Sequence, residues 1–130
     1  MATASTVEQA IKESRALLKL KKNWDGEGSL PISRPTWERA TRFLRKMSEM
    51  AKRRYGFDLP VPYIDPGPQG GIDLHWRKQE RFEALLFVPA SRREKAGFYA
   101  DNYKRKSIKG KVDPRCVSHQ LLRFLASILR

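Results

Sequence analysis

Cysteine is nearly absent from this chain: Cys116 is the only one in 130 residues. A disulfide scaffold is therefore excluded, and a lone thiol fits a reducing cytosol. With one cysteine and two histidines, the four Cys/His ligands of a zinc finger cannot be assembled. Long apolar runs are also missing. The longest, Ala84 to Val88, has the length of a strand and falls far short of the ~18–20 residues that cross a bilayer. The N-terminal MATASTVEQAIKESRALL lacks the basic, apolar and small-residue order of a signal peptide, because Glu8 and Glu13 interrupt it. Acidic residues are scarce: 14 Asp+Glu face 27 Lys+Arg, leaving a formal net charge of +13. The expectation is a cytoplasmic protein with no membrane partner, no metal site and no cofactor.

What is present supports a folded chain. Hydrophobic residues make up 40% of it and aromatic residues 10%, more than a disordered segment carries. A chain of this size buries about two thirds of its unfolded surface, so residues 1–130 are expected to form a single α+β domain.

Ser5 and Glu8 have the spacing of a capping box. Val7, Ala10, Ile11, Ser14, Leu17 and Leu18 fall on one helical face, predicting a first helix from about Thr6 to Lys21. Asn23-Trp24-Asp25-Gly26-Glu27-Gly28-Ser29 has the composition of a loop. In it Trp24 is expected to plug the core, Asp25-Gly26 to turn the chain and Glu27 to neutralise a nearby base. Ser33 and Pro35 open a second helix, from about Arg34 to Arg54. Trp37, Ala40, Phe43, Leu44, Met47, Met50 and Ala51 form its apolar face, with Gly56 near its stop. Four prolines from Pro60 to Pro68 impose an extended path.

Beyond Gly70-Gly71 the hydrophobic period changes to two. Ile72, Leu74 and Trp76 alternate with Asp73, His75 and Arg77. After a polar turn at Lys78-Gln79-Glu80, Phe82, Ala84, Leu86 and Val88 form one row of a returning strand. Leu85 and Phe87 make its other row apolar too, which predicts a central or doubly covered strand. A polar turn at Ser91-Arg92-Arg93-Glu94-Lys95 precedes a third strand from Ala96 to Tyr103. Lys104 to Lys111 reads as a loop or as an edge strand protected by lysines. Asp113-Pro114 supplies N-cap and N1 for a last helix carrying Val117, Leu121, Phe124, Leu125 and Ile128. The order ααβββα predicts a two-layer α+β sandwich. An antiparallel three- to four-stranded meander would be covered by two N-terminal helices and one C-terminal helix.

Trp24-Asp25-Gly26-Glu27-Gly28, Pro31-Ile32-Ser33 and Gly70-Gly71-Ile72-Asp73-Leu74-His75-Trp76 together resemble a widespread group of small bacterial single-domain proteins of unassigned function. Its pattern is W-D-G-x-G…P-I-S…G-G-I-x-L-x-W. The resemblance spans about Leu18 to Gly110 and implies an accessory role of the kind linked to defence systems or mobile elements. It carries no chemistry to transfer onto particular residues.

The positive charge is concentrated. Between Ser91 and Lys111, eight Lys/Arg face two acidic residues, with Phe98, Tyr99 and Tyr103 among them. Cations neutralise phosphates, and aromatic faces stack on unpaired bases. The nucleic-acid-binding candidates here are Arg92, Arg93, Lys95, Tyr103, Lys104, Arg105, Lys106, Lys109 and Lys111. The second helix adds Arg42, Arg45, Lys46, Lys52 and Arg53, of which Arg42, Arg45 and Lys52 share a stripe. If both sets face one side, they form a continuous surface. The leading expectation is a non-enzymatic basic accessory protein that contacts DNA or RNA, or a nucleoprotein, mainly through phosphates. One alternative is a protein-interaction module, such as an antitoxin, an inhibitor or a complex subunit, whose basic face meets an acidic protein. Another is a small metal-dependent nuclease built on Asp73, His75 and Glu83, although alternating polar residues on a half-buried strand need no function. His119 reads as a surface or packing residue, and Cys116 as a buried, inert thiol.

Overall fold

The computed structural model describes residues 6–78, 81–103 and 106–129. The first helix, α1 (Val7–Glu13), is capped by Thr6, whose hydroxyl accepts from the Gln9 N–H at 3.0 Å. Ser5, the expected cap, lies outside the described residues. The chain then tightens into 3-10 turns over Ser14–Lys19 instead of continuing as α-helix to Lys21. Ser14 accounts for the change. Its buried hydroxyl donates to the Ile11 carbonyl at 2.6 Å and accepts from the Trp37 indole at 2.8 Å, the side-chain competition that disfavours regular helix.

The second helix, α2 (Arg34–Tyr55), starts as expected, with the Ser33 hydroxyl accepting from the Thr36 N–H and Pro35 in the first turn. It stops at Gly56, whose φ of 70° is the left-handed C-cap geometry glycine adopts without cost. The proline-rich segment contains an unexpected strand, β1 (Tyr63–Pro66). β1 is an edge strand, where a proline's missing N–H need not break the ladder. Then come β2 (Ile72–Lys78), β3 (Phe82–Val88), β4 (Ala96–Asp101) and β5 (Ser107–Val112). Gln79 and Glu80, from the expected turn, lie outside the described residues. Among the described residues the five strands form one antiparallel sheet in the order β1-β2-β3-β4-β5. The predicted meander is therefore present but has five strands, not three or four. The basic segment after Tyr103 supplies the second edge strand, β5. β3 is central, as its doubly apolar pattern requires.

The last helix, α3 (His119–Leu129), begins later than Asp113-Pro114 predicts. The Asp113 carboxylate is occupied by the N–H and guanidinium of Arg115, and its carbonyl accepts from the Cys116 N–H at 2.8 Å. Those bonds close a turn, not a helix. Ser118 caps α3, accepting from the Leu121 N–H at 3.2 Å. The same turn leaves Cys116 exposed, not buried as expected.

The buried apolar residues form one cluster. Its strand members are Ile72, Leu74, Trp76, Phe82, Ala84, Leu86, Val88, Ala96, Phe98, Ala100 and Ile108. All point to one face of the sheet, because side chains alternate along each strand. Phe43, Leu44 and Met47 of α2 and Leu121, Leu122 and Leu125 of α3 complete the cluster, giving the two-layer α+β arrangement. Trp76 is fully buried and its indole N–H donates to the Pro60 carbonyl at 2.7 Å. Among the described residues, no helix is long and apolar enough to cross a membrane.

The Trp24–Gly28, Pro31–Ser33 and Gly70-Gly71 segments help build this frame. Asp25 accepts from the N–H groups of Glu27 and Ser29 and from the Ser29 hydroxyl. Gly26 and Gly28 have φ of 76° and 82°. The loop is thus held by its own hydrogen bonds. Trp24 is 39% exposed, so it does not plug the core as expected. Gly70 has a φ of 78°, and a Cβ there would sit 3.2 Å from the Pro31 carbonyl oxygen. A Cβ on Gly71 would sit 2.7 Å from the Val88 carbonyl and meet the Phe87 ring. The Pro-Ile-Ser and Gly-Gly segments therefore meet in space.

Candidate nucleic-acid interface

The candidate cations fall in three places. On α2, Arg45 donates to Glu8 at 2.8 Å, Lys46 to the Arg115 carbonyl at 3.0 Å, and Lys52 to Asp58 at 3.2 Å. Arg53 pairs with Glu49 one helical turn away at 3.5 Å. All four bonds are on the surface, where an ion pair contributes ~1 kcal/mol or less and opens readily to a competing anion. Arg42 is exposed and makes no ion pair among the described residues.

Arg92, Arg93 and Lys95 are exposed on the β3–β4 turn. Arg39, which was not among the candidates, ties this turn to α2. Its guanidinium donates to the Pro89 carbonyl at 3.0 Å and to the Ala90 carbonyl at 2.8 Å. Burial, and then the charge of nearby Arg92, lower the Arg39 pKa. Arg42 follows Arg39 by three residues and so lies on the same side of the helix. The Pro89 and Ala90 carbonyls are 50 and 51 residues from Arg39, so no local pattern in the chain announces this link.

The third group sits on the β4–β5 hairpin. Lys109 and Lys111 project from the sheet face opposite α2, because Ile108 takes the inner face. The helix stripe and this part of the 91–111 segment therefore do not form one continuous surface, as the sequence left open. Lys106 is exposed at the β4–β5 turn, and Lys104 and Arg105 lie outside the described residues. Tyr103 is 50% exposed with a φ of 63°, and its hydroxyl donates to Glu83 at 3.0 Å. The Asp101 carboxylate accepts from the Tyr103 N–H at 2.7 Å and from the Tyr99 hydroxyl at 2.9 Å. That acceptor makes loss of the phenolic proton harder and raises the Tyr99 pKa.

The outer face of the sheet contributes no strand residue to the core. Its registers place three rows across the strands: Asp65-Asp73-Phe87-Gly97-Lys111, Tyr63-His75-Leu85-Tyr99-Lys109, and Arg77-Glu83-Asp101-Ser107. In the first row acid lies on β1 and β2 and lysine on β5, whereas the third row runs the other way, with Arg77 on β2 and Glu83 and Asp101 on β3 and β4. His75 and Glu83 come together at 2.9 Å. The hydrogen bonds from His75 and Tyr103 lower the Glu83 pKa. Asp73 stands in the next row, opposite Asp65. Burial, and then that like charge, raise its pKa. Among the described residues, no group of three His, Cys, Asp or Glu side chains is placed to hold a metal ion. His119 packs on Tyr55, ring nitrogen to hydroxyl at 2.8 Å.

No protein family matches the chain, and neither the curated proteins nor the solved structures contain a match.

Proposed function

We propose that this is a non-enzymatic basic accessory protein that binds nucleic acid through its phosphates, along the seam between α2 and the β3–β4 turn. One observation carries the reading. Arg39 is anchored on the Pro89 and Ala90 carbonyls close to Arg92, with exposed Arg42 one turn along α2 and exposed Arg93 next to Arg92 in the chain. Among the described residues no carboxylate bridges any of these four. Like charges gathered without a counter-charge cost stability, and a phosphate backbone relieves that repulsion while releasing counterions. Lys95 continues the surface from the turn. Arg45, Lys46, Lys52 and Arg53 extend it along α2, each exchanging a weak surface bond for a phosphate. Backbone contacts of this kind do not select a base sequence.

Fluorescence anisotropy with labelled single-stranded and duplex oligonucleotides tests it. Binding is expected at ~50 mM salt and should weaken steeply by ~200 mM. The double variant Arg92→Ala, Arg93→Ala should weaken binding for every sequence and flatten the log–log salt slope by about 2. Absence of binding at low salt, or binding indifferent to salt, overturns the proposal. A stoichiometric acidic protein that stays bound through nuclease treatment would assign the same cations to a protein partner instead.

A further inference from the structure

The geometry points to a second copy of this chain as the partner of the open sheet face. The face is self-complementary in a specific way. Reading across the strands, exposed Asp65 and half-buried Asp73 lie on β1 and β2, Leu85 in the centre, and exposed Lys109 and Lys111 on β5. A two-fold axis between two stacked sheets and parallel to their strands carries β1 of one copy over β5 of the other. In the first row that sets Asp65 against Lys111 of the other copy, twice by symmetry. In the second row Tyr63, which is 50% exposed, meets the other copy's Lys109, and the two Leu85 side chains meet at the axis; in the third, Arg77 meets the other copy's Asp101, and Glu83, held by His75 and Tyr103, meets its symmetry mate. An axis perpendicular to the strands would instead carry each strand over itself, so that no Asp65 reaches a lysine of β5. The pairings of Asp65 with Lys111 and of Arg77 with Asp101 therefore select the axis along the strands, in an aligned stacking of the kind sheets commonly adopt, ~10 Å apart.

The alternative occupant, a nucleic-acid strand lying across the whole face, meets Asp65 and Asp73 at one end, with burial already disfavouring the Asp73 charge. The net charge of +13 does not forbid the dimer. In the stacked pair the α2 layers lie on the outside, beyond ~8–10 Å, where salt screens their repulsion. Four interstrand gaps and strands of four to seven residues give a footprint of about 400 Å² per copy. This is about half of what a stable interface buries on each side, so a weak, concentration-dependent dimer is expected. It leaves the α2 seam free and stands or falls independently of the nucleic-acid reading.

Sedimentation of the nuclease-treated full chain tests it, from about 10 µM to about 1 mM, the range in which small interfaces associate. The average mass should climb from 15.1 kDa toward twice that value. Asp65→Lys alone and Lys111→Asp alone each set like charges together and should weaken association about tenfold. An equimolar mixture of the two single variants restores one acid against one base in every cross-copy pair and should associate again. Both positions are exposed, so circular dichroism should show each variant folded. A single-chain mass at every concentration, a mixture no more associated than its parts, or association only when nucleic acid is added would each overturn the inference.

Discussion

The inner and outer faces of the sheet are made from alternate residues of the same strands, and they follow different physics. Inside, Leu86 and Trp76 are shut off from water, Leu86 gaining by burial and Trp76 by burial and its bond to the Pro60 carbonyl. Outside, Leu85 and Phe87 are half-buried apolar neighbours among groups whose value depends on charge. Asp73 faces another carboxylate, whereas Glu83 is held by His75 and Tyr103. The inner face explains why the chain folds. The outer face carries apolar and paired polar groups from which folding gains less, and it is the face on which the dimer inference rests.

The largest expected contrast is between the tryptophans. Trp76→Ala empties a core site and breaks the bond to the Pro60 carbonyl, so urea unfolding should show a loss of about 3–5 kcal/mol. Trp24→Ala, on an exposed loop, should stay within about 0.5 kcal/mol. A comparable loss at Trp24 would return that residue to the core. Next comes the adjacent pair on the central strand. Leu86→Ala should cost about 2–5 kcal/mol and Leu85→Ala less than about 1 kcal/mol. Equal losses would erase the distinction between the faces.

The smallest effects, each below about 1 kcal/mol, concern pH and carry opposite signs. The folded state holds the Asp73 proton more tightly than the unfolded chain does. Its contribution therefore worsens as pH rises from about 4 through the raised folded value. Asp73→Asn should accordingly stabilise the protein at pH 7 and lose that advantage in acid. Glu83 has a depressed folded value, so its contribution is present above about pH 4.3 and is lost as pH falls below it. Glu83→Gln should be destabilising at pH 7 and neutral at low pH. Parallel unfolding curves from pH 3 to pH 7 for the two variants measure both signs, and matching signs would refute the assigned environments.

Much of the frame was legible because its signals are local. The Ser33 cap, the Gly56 stop and the alternation of β2 and β3 each depend on neighbours within a few residues. β1 was not legible, since its prolines argue against a strand unless the strand is known to lie at an edge. The start of α3 was misplaced because Asp113 and Ser118 are both competent caps, and only the bonds to Arg115 decide between them. In the candidate interface, the cations were legible as residue types. Their division between two sides of the molecule was not, and neither was the role of Arg39.

By itself, then, the sequence determined the α+β class, the inward rows of β2 and β3, and the excess and crowding of positive charge. These follow from composition and from periods of two and 3.6, which need no knowledge of distant contacts. Only the tertiary structure decided that the sheet has five strands, that Arg39 brings α2 to the β3–β4 turn, and that Asp65 and Lys111 stand at opposite edges of one outer row. Each of these depends on register between segments far apart in the chain, which is settled when the strands pair and the helices bury their inner row.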